Sequence, residues 1–242
     1  MTKGRLFIGT SGWSYDHWEG PFYPPGTKSG DRLAYYVKHF DTVEINNTFY
    51  RLPSPSAFQR WREATPRGFV YAVKGSRFIT HIKRLKEAGN SLALLLERAS
   101  LLGDNLGPLL FQLPPRWRCN PRRLEGFLHH LPGDRRFVLE FRDPDWFNRE
   151  VYALLREKGV ALCIYHMPDF ETPLEATAPF VYIRFHGAGS LYSGRYSQEW
   201  LAGWADRIGG FTGDGLDVHV YFNNDDHGHA VINAQELREL CG

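Results

Sequence analysis

Short apolar or alternating runs recur about every thirty residues along the 242-residue chain, each followed by a helical pattern, and this alternation constrains the fold more than any other feature. Eight such runs are present: RLFIGTS (5–11), TVEIN (42–46), FVYAVK (69–74), PLLFQL (108–113), RFVLEFR (136–142), ALCIYH (161–166), FVYIRFH (180–186) and DVHVYFNN (217–224). Strands separated by helices pair in parallel through right-handed crossovers. Eight such units predict an α/β protein, a single (β/α)8 TIM barrel with a parallel eight-stranded sheet, occupying residues 1–242 as one domain. An open doubly wound sheet is the competing fold, but no G-x-G-x-x-G follows the first run.

Helix ends are marked between the runs. Ser54 precedes Pro55 and an amphipathic AFQRWREA, and Asn148 precedes REVYALLREKG, which Gly159 closes. DRLAYYVKHF, SLALLLERASLLG, PRRLEGFLHHL, SQEWLAGWADRI and NAQELREL supply the others, whereas MPDFETPLEATA, after the sixth run, carries two prolines and predicts no helix. Cys119, Cys163 and Cys241 are odd in number, far apart and free of C-x-x-C pairing, which argues against a disulfide framework or thiolate zinc site. With no signal-peptide pattern and no apolar stretch near the ~20 residues of a membrane span, the expectation is a cytoplasmic protein with no membrane partner.

Strand parity turns the runs into geometry, since alternate side chains face opposite sides. Tyr182, Arg184 and His186 share the inward face of the seventh run, and Val138, Glu140 and Arg142 that of the fifth. Glu44 and Asn46 come inward from the second, Lys74 from the third, Gln112 from the fourth and Asn223 from the eighth. Two carboxylates against three cations plus His186 leave a locally positive centre in a chain whose overall charge is only +2. Such a centre suits a phosphate or carboxylate, and barrel active sites lie at the carboxyl ends of the strands. The alternative is a self-satisfying salt-bridge plug, in which Glu44 and Glu140 simply answer Lys74, Arg142 and Arg184.

Several motifs surround these positions: GTSGWSY at 9–15, EINNTFY at 44–50, the run from Lys74 to His81, LLFQLPP at 109–115, LEFRDPDW at 139–146, YIRFHG at 182–187, and YFNND at 221–225 followed by Ala230, Asn233 and Ala234. On these motifs the chain resembles the YecE-like family, catalogued as domain of unknown function 72, nearly end to end. The resemblance implies a TIM barrel and no established reaction. The sixth run departs from that pattern, with His166 and Met167 where the family leads one to expect an acidic residue.

The expected catalytic residues are Glu140, Glu44 and His186, with Glu140 the preferred general base beside an anion-binding Arg142. Asn46, Lys74, Gln112, Arg142, Arg184, Asn223, Asn224, Asp225, Trp13, Tyr50, Trp146 and His81 are expected to bind substrate. The aromatic members have two readings, stacking on a base or sugar or roofing the barrel. A glycosidase acid–base pair of Glu44 and Glu140 fits poorly, because nearby cations would keep both ionised. Metal catalysis would draw on His81, His166, His186 and the NNDDHGHA segment, but cations stand at the strand ends where a metal would want acids. No metal and no cofactor are expected. The reading is therefore a metal-independent enzyme, a hydrolase or isomerase, acting on a small anionic or phosphorylated ligand or nucleotide. Its alternatives are a nucleic-acid-binding or metal-dependent phosphodiester-cleaving protein of the endonuclease-barrel kind, suggested by Arg116, Arg118, Arg122 and Arg123 around Trp117 and by Lys83, Arg84 and Lys86, and a non-catalytic ligand-binding barrel.

Overall fold

The computed structural model describes residues 2–242. All eight expected runs are strands. In chain order they are β1 (Leu6–Thr10), β2 (Thr42–Ile45), β3 (Val70–Lys74), β4 (Leu106–Gln112), β5 (Phe137–Glu140) and β6 (Ala161–Met167), then a two-residue β7 (Phe170–Glu171), then β8 (Phe180–Phe185) and β9 (Asp217–Phe222). The sheet order is β1-β9-β8-β6-β5-β4-β3-β2, with β7 pairing β6, and an isolated parallel bridge joins Ser11 to Glu44 beyond the ends of β1 and β2. With helices interleaved, this is the (β/α)8 barrel class. Parallel strands covered on both faces read as continuous apolar runs. β2 and β8 are buried at every position.

The helices are α1 (Arg32–Tyr36), α2 (Asn47–Tyr50), α3 (Pro55–Glu63), α4 (Gly89–Ser100), α5 (Pro121–Leu128), α6 (Arg149–Glu157), α7 (Gln198–Gly213) and α8 (His229–Cys241). Asn148 caps its helix as its place in the sequence predicts, accepting from Val151 N, whereas Ser54 precedes Pro55 without a side-chain cap bond; Asn120 and Ser197 cap two further helices, accepting from Arg123 N and Trp200 N. Gly159, at φ 62°, ends the turn after α6, a conformation that glycine adopts without a Cβ penalty.

No helix follows β6, as the two prolines imply. β7 instead folds back antiparallel on β6, pairing His166 with Glu171 and Met167 with Phe170. The extended residues that follow are held by hydroxyls: Thr177 Oγ1 accepts from Leu162 N at 2.7 Å and donates to Val160 O at 2.7 Å. A π-helix over Phe78–Ile82 is an element that the strand-and-helix pattern does not reveal.

Two compact units emerge from the packing. The first runs to Glu44 and adds Ile164–Thr172 and Phe180–Gly242, and the second comprises Ile45–Cys163 and Pro173–Pro179. Strands β1, β8 and β9 form the sheet of the first unit, with Leu6–Thr10 in parallel register against Val218–Phe222. β3, β4 and β5 form that of the second, where Lys74 pairs with Leu110 and Gln112 with Glu140. Among the described residues no helix is long and apolar enough to cross a membrane.

Candidate functional site

In the first unit, the inward polar residues close upon one another. Gly9 lets β1 approach β2 closely, since a Cβ there would stand 2.2 Å from Thr42 O. Ser11 can then reach Glu44, donating to Oε1 at 2.5 Å. Arg184 donates to the same oxygen at 2.8 Å, and the Tyr182 hydroxyl donates to Glu44 Oε2 at 2.6 Å. Burial, with the Glu44 carboxylate beside it, pushes the Tyr182 hydroxyl far above its ordinary pKa, so it remains a donor. Glu44 and Arg184 are both wholly buried. A buried pair needs such extra hydrogen bonds, because Coulomb attraction alone does not offset desolvation.

Around that pair, His186 is buried, with Nδ1 at 3.0 Å from Asn223 Nδ2 and Nε2 at 3.5 Å from an Arg184 nitrogen. Asn224 donates to Gly194 O and to Asn233 Oδ1, and Asn233 in turn holds Tyr196 N. The Asp225 carbonyl accepts from Trp18 Nε1 at 3.0 Å, and burial raises the Asp225 carboxyl above its usual range. These asparagines and Asp225 knit the loop after β9 to its neighbours. His166 bonds Tyr196 through Nδ1, with burial lowering its pKa. In the NNDDHGHA segment His227 is exposed beside Asp226, and His229 begins α8. Among the described residues no group of three or more His, Cys, Asp or Glu is gathered as a metal would require.

The second unit holds a different arrangement. Arg142 donates through Nε to Glu140 Oε1, with Glu140 wholly buried and the Arg142 side chain 7% exposed. Cys163 Sγ donates to Glu140 Oε2 at 3.7 Å. Lys74, at the end of β3, lies over the Phe49 ring at 4.5 Å from its centre, and Thr48 Oγ1 donates to the Lys74 carbonyl at 2.6 Å. The His81 imidazole meets the other side of this group, edge-on to Phe49 at 5.1 Å between centroids. Phe49 thus ties β3, α2 and the π-helix together.

His81 carries the electrostatic record of the cluster. Burial first, and then the charges of Lys74, Arg77 and Arg142, lower its pKa to about 4, so the ring is neutral at physiological pH. Its Nδ1 lies 2.9 Å from Thr80 Oγ1, whose hydroxyl in turn reaches Ser76 O at 3.4 Å. A neutral imidazole has one donor and one acceptor nitrogen, and the Thr80 hydroxyl can serve either role toward Nδ1.

Gln112 stands level with Glu140 by strand register and is 9% exposed. Its Oε1 and the Asn46 Oδ1 are buried atoms without a hydrogen-bond partner among the described residues. Of the aromatic residues read as stacking surfaces, Tyr50 is 73% exposed and Trp13 half-buried, whereas Trp146 is wholly buried, stacked on Phe141 and donating to Trp117 O at 2.6 Å. The basic loop after β4 is partly engaged, with Arg118 near Asp145 and Arg123 donating to Arg84 O.

Ser11 and Cys163 escape the parity reading. Ser11 lies past the end of β1. The Cys163 contact was legible in principle, since Leu139 pairs with Leu162 and the next residues, Glu140 and Cys163, then fall together.

The fold and these strand-end polar clusters define a (β/α)8 protein with a charged cluster in each of its two units. The chain belongs to the family described as "Protein of unknown function DUF72", which it matches over residues 7–242. It is 28% identical to UPF0759 protein YunF of Bacillus subtilis, over 97% of this chain and 94% of that protein. To UPF0759 protein YecE of Escherichia coli K12 it is 34% identical, over 59% of this chain and 50% of the relative. The crystal structure of a DUF72 family protein from Thermotoga maritima superposes with a TM-score of 0.89 at 27% identity, covering 98% of each chain.

Proposed function

We propose that this protein is an enzyme acting on a phosphorylated or otherwise anionic small molecule, and that the second unit's cluster of Lys74, Arg142 and His81 receives the anion. The observation that carries the reading is the setting of His81, a neutral imidazole held among three cations. An anion bound there would relieve mutual repulsion among Lys74, Arg77 and Arg142 and would accept charge-assisted hydrogen bonds. Positive side chains at this position stabilise charge developing on an oxyanion. Glu140 orients Arg142, and the neutral His81 imidazole can take a proton from a substrate and return it in a hydrolysis or isomerisation. The Glu44–Arg184 pair, saturated by Ser11 and Tyr182, serves as a scaffold in this reading. Three free thiols fit a reducing, cytoplasmic setting.

The test is titration of inorganic phosphate followed by the His81 imidazole NMR signals. Saturable binding with a rise in the His81 pKa is expected, and Lys74→Met should weaken it about tenfold or more, as loss of one charge-assisted hydrogen bond does. His81 signals indifferent to phosphate would overturn the proposal. Competition by a single-stranded oligonucleotide, steeply weakened by salt, would instead favour a nucleic-acid ligand.

A further inference from the structure

Two side-chain oxygens at strand ends of the second unit have no donor among the described residues. Gln112 Oε1 and Asn46 Oδ1 are both buried and without a hydrogen-bond partner among the described residues. Leaving a buried amide oxygen unsatisfied is costly, so such an atom calls for a donor from a bound water or a ligand. Both lie beside the proposed anion site. Gln112 is paired in register with Glu140, which holds Arg142. Asn46 immediately precedes α2, whose Phe49 touches both Lys74 and His81.

Sulfate or a doubly ionised phosphate monoester would satisfy the cations and leave these oxygens as they are, because such an anion offers acceptors only. Resting on the proposed anion-binding reading, we propose that the ligand carries hydroxyl groups close to its phosphate, and that Gln112 and Asn46 read those hydroxyls through their side-chain oxygens. The class so defined is a phosphorylated polyol or sugar, either free or as the ribose phosphate of a nucleotide. A site built to bond a hydroxyl discriminates strongly against an analogue lacking it, since the buried acceptor is then left unpaired.

Calorimetric titration of the intact protein tests this with glycerol 3-phosphate, ribose 5-phosphate, a ribonucleoside 5′-monophosphate and propyl phosphate. The hydroxylated phosphates should bind about tenfold or more tightly than propyl phosphate of equal charge. In Gln112→Met, of similar volume, that margin should shrink to about threefold or less while propyl phosphate affinity holds. Asn46→Leu supplies the same comparison from an independent position and decides the matter should Gln112→Met fail to fold. Tight binding of ribose 5-phosphate with weak binding of the nucleotide assigns a free sugar phosphate, and the reverse assigns a nucleotide. Equal affinity for all phosphates, or a hydroxyl preference that survives both substitutions, overturns the inference while leaving the anion site standing. Failure of every phosphate to bind overturns the anion site itself.

Discussion

Glu44–Arg184 and Glu140–Arg142 are the same pair of residue types, each at the carboxyl end of a strand, yet they are used differently. Glu44 is saturated by the arginine, a serine and a tyrosine, and neither member of its pair retains solvent exposure. Glu140 also has its arginine and a thiol donor, but Arg142 keeps 7% of its side chain exposed and bears electrostatically on His81, as Lys74 does. The lesson is that a buried ion pair is not itself evidence of chemistry. What sets the second cluster apart is the neutral His81 imidazole among positively charged neighbours.

The comparison breaks most visibly at Glu44. Glu44→Gln leaves the wholly buried Arg184 without its counter-charge, and chemical denaturation should register a loss of about 3–5 kcal/mol. The double variant Glu44→Gln/Arg184→Met should recover part of that loss, because apolar replacement of a buried pair is often close to neutral. Full recovery of phosphate binding in a folded double variant would separate scaffold from site. Its disappearance would show the first-unit pair to be part of the receptor after all.

A second contrast follows from Lys74→Met, which should lower phosphate affinity about tenfold while unfolding free energy changes by no more than about 1 kcal/mol. Equal loss of stability and binding would make Lys74 a member of a plug like the first.

Acid sharpens the contrast further. The His81 pKa is about 4 in the folded protein, below the ordinary histidine value of 6.5, so between those values the unfolded chain binds the extra proton. Its contribution to stability is therefore complete above pH 6.5 and is lost as pH falls toward 4. His81→Gln should flatten that part of the stability profile measured by urea unfolding, and saturating phosphate should move the His81 titration upward. The smallest effect belongs to Trp146→Phe: about 1 kcal/mol of stability, from the lost hydrogen bond to Trp117 O, with phosphate affinity unchanged. A fall in affinity would return Trp146 to the ligand.

The two pairs also show where sequence reasoning reaches and where it stops. Parity put Glu44 with Arg184 and Glu140 with Arg142 on inward faces, because a strand's twofold period is local. Which carboxylate would be saturated was not legible, since Ser11 meets Glu44 across 33 residues and Tyr182 across 138. Thr80 and His81 lie in a π-helix, a local geometry with no period that the sequence advertises. Trp146, open from sequence to two readings, ligand platform or cover for the barrel, is packed flat on Phe141.

By itself, then, the sequence determined the (β/α)8 class, the eight main strands, the helix cap at Asn148 and the side of each strand that carries charge, all of which follow from short-range periodicity and backbone hydrogen bonding. Tertiary structure alone decided which charges neutralise one another, which amide oxygens are left unsatisfied and that His81 sits neutral among cations. Those outcomes depend on distances of a few ångströms between residues remote in sequence, and on the burial that makes such distances count.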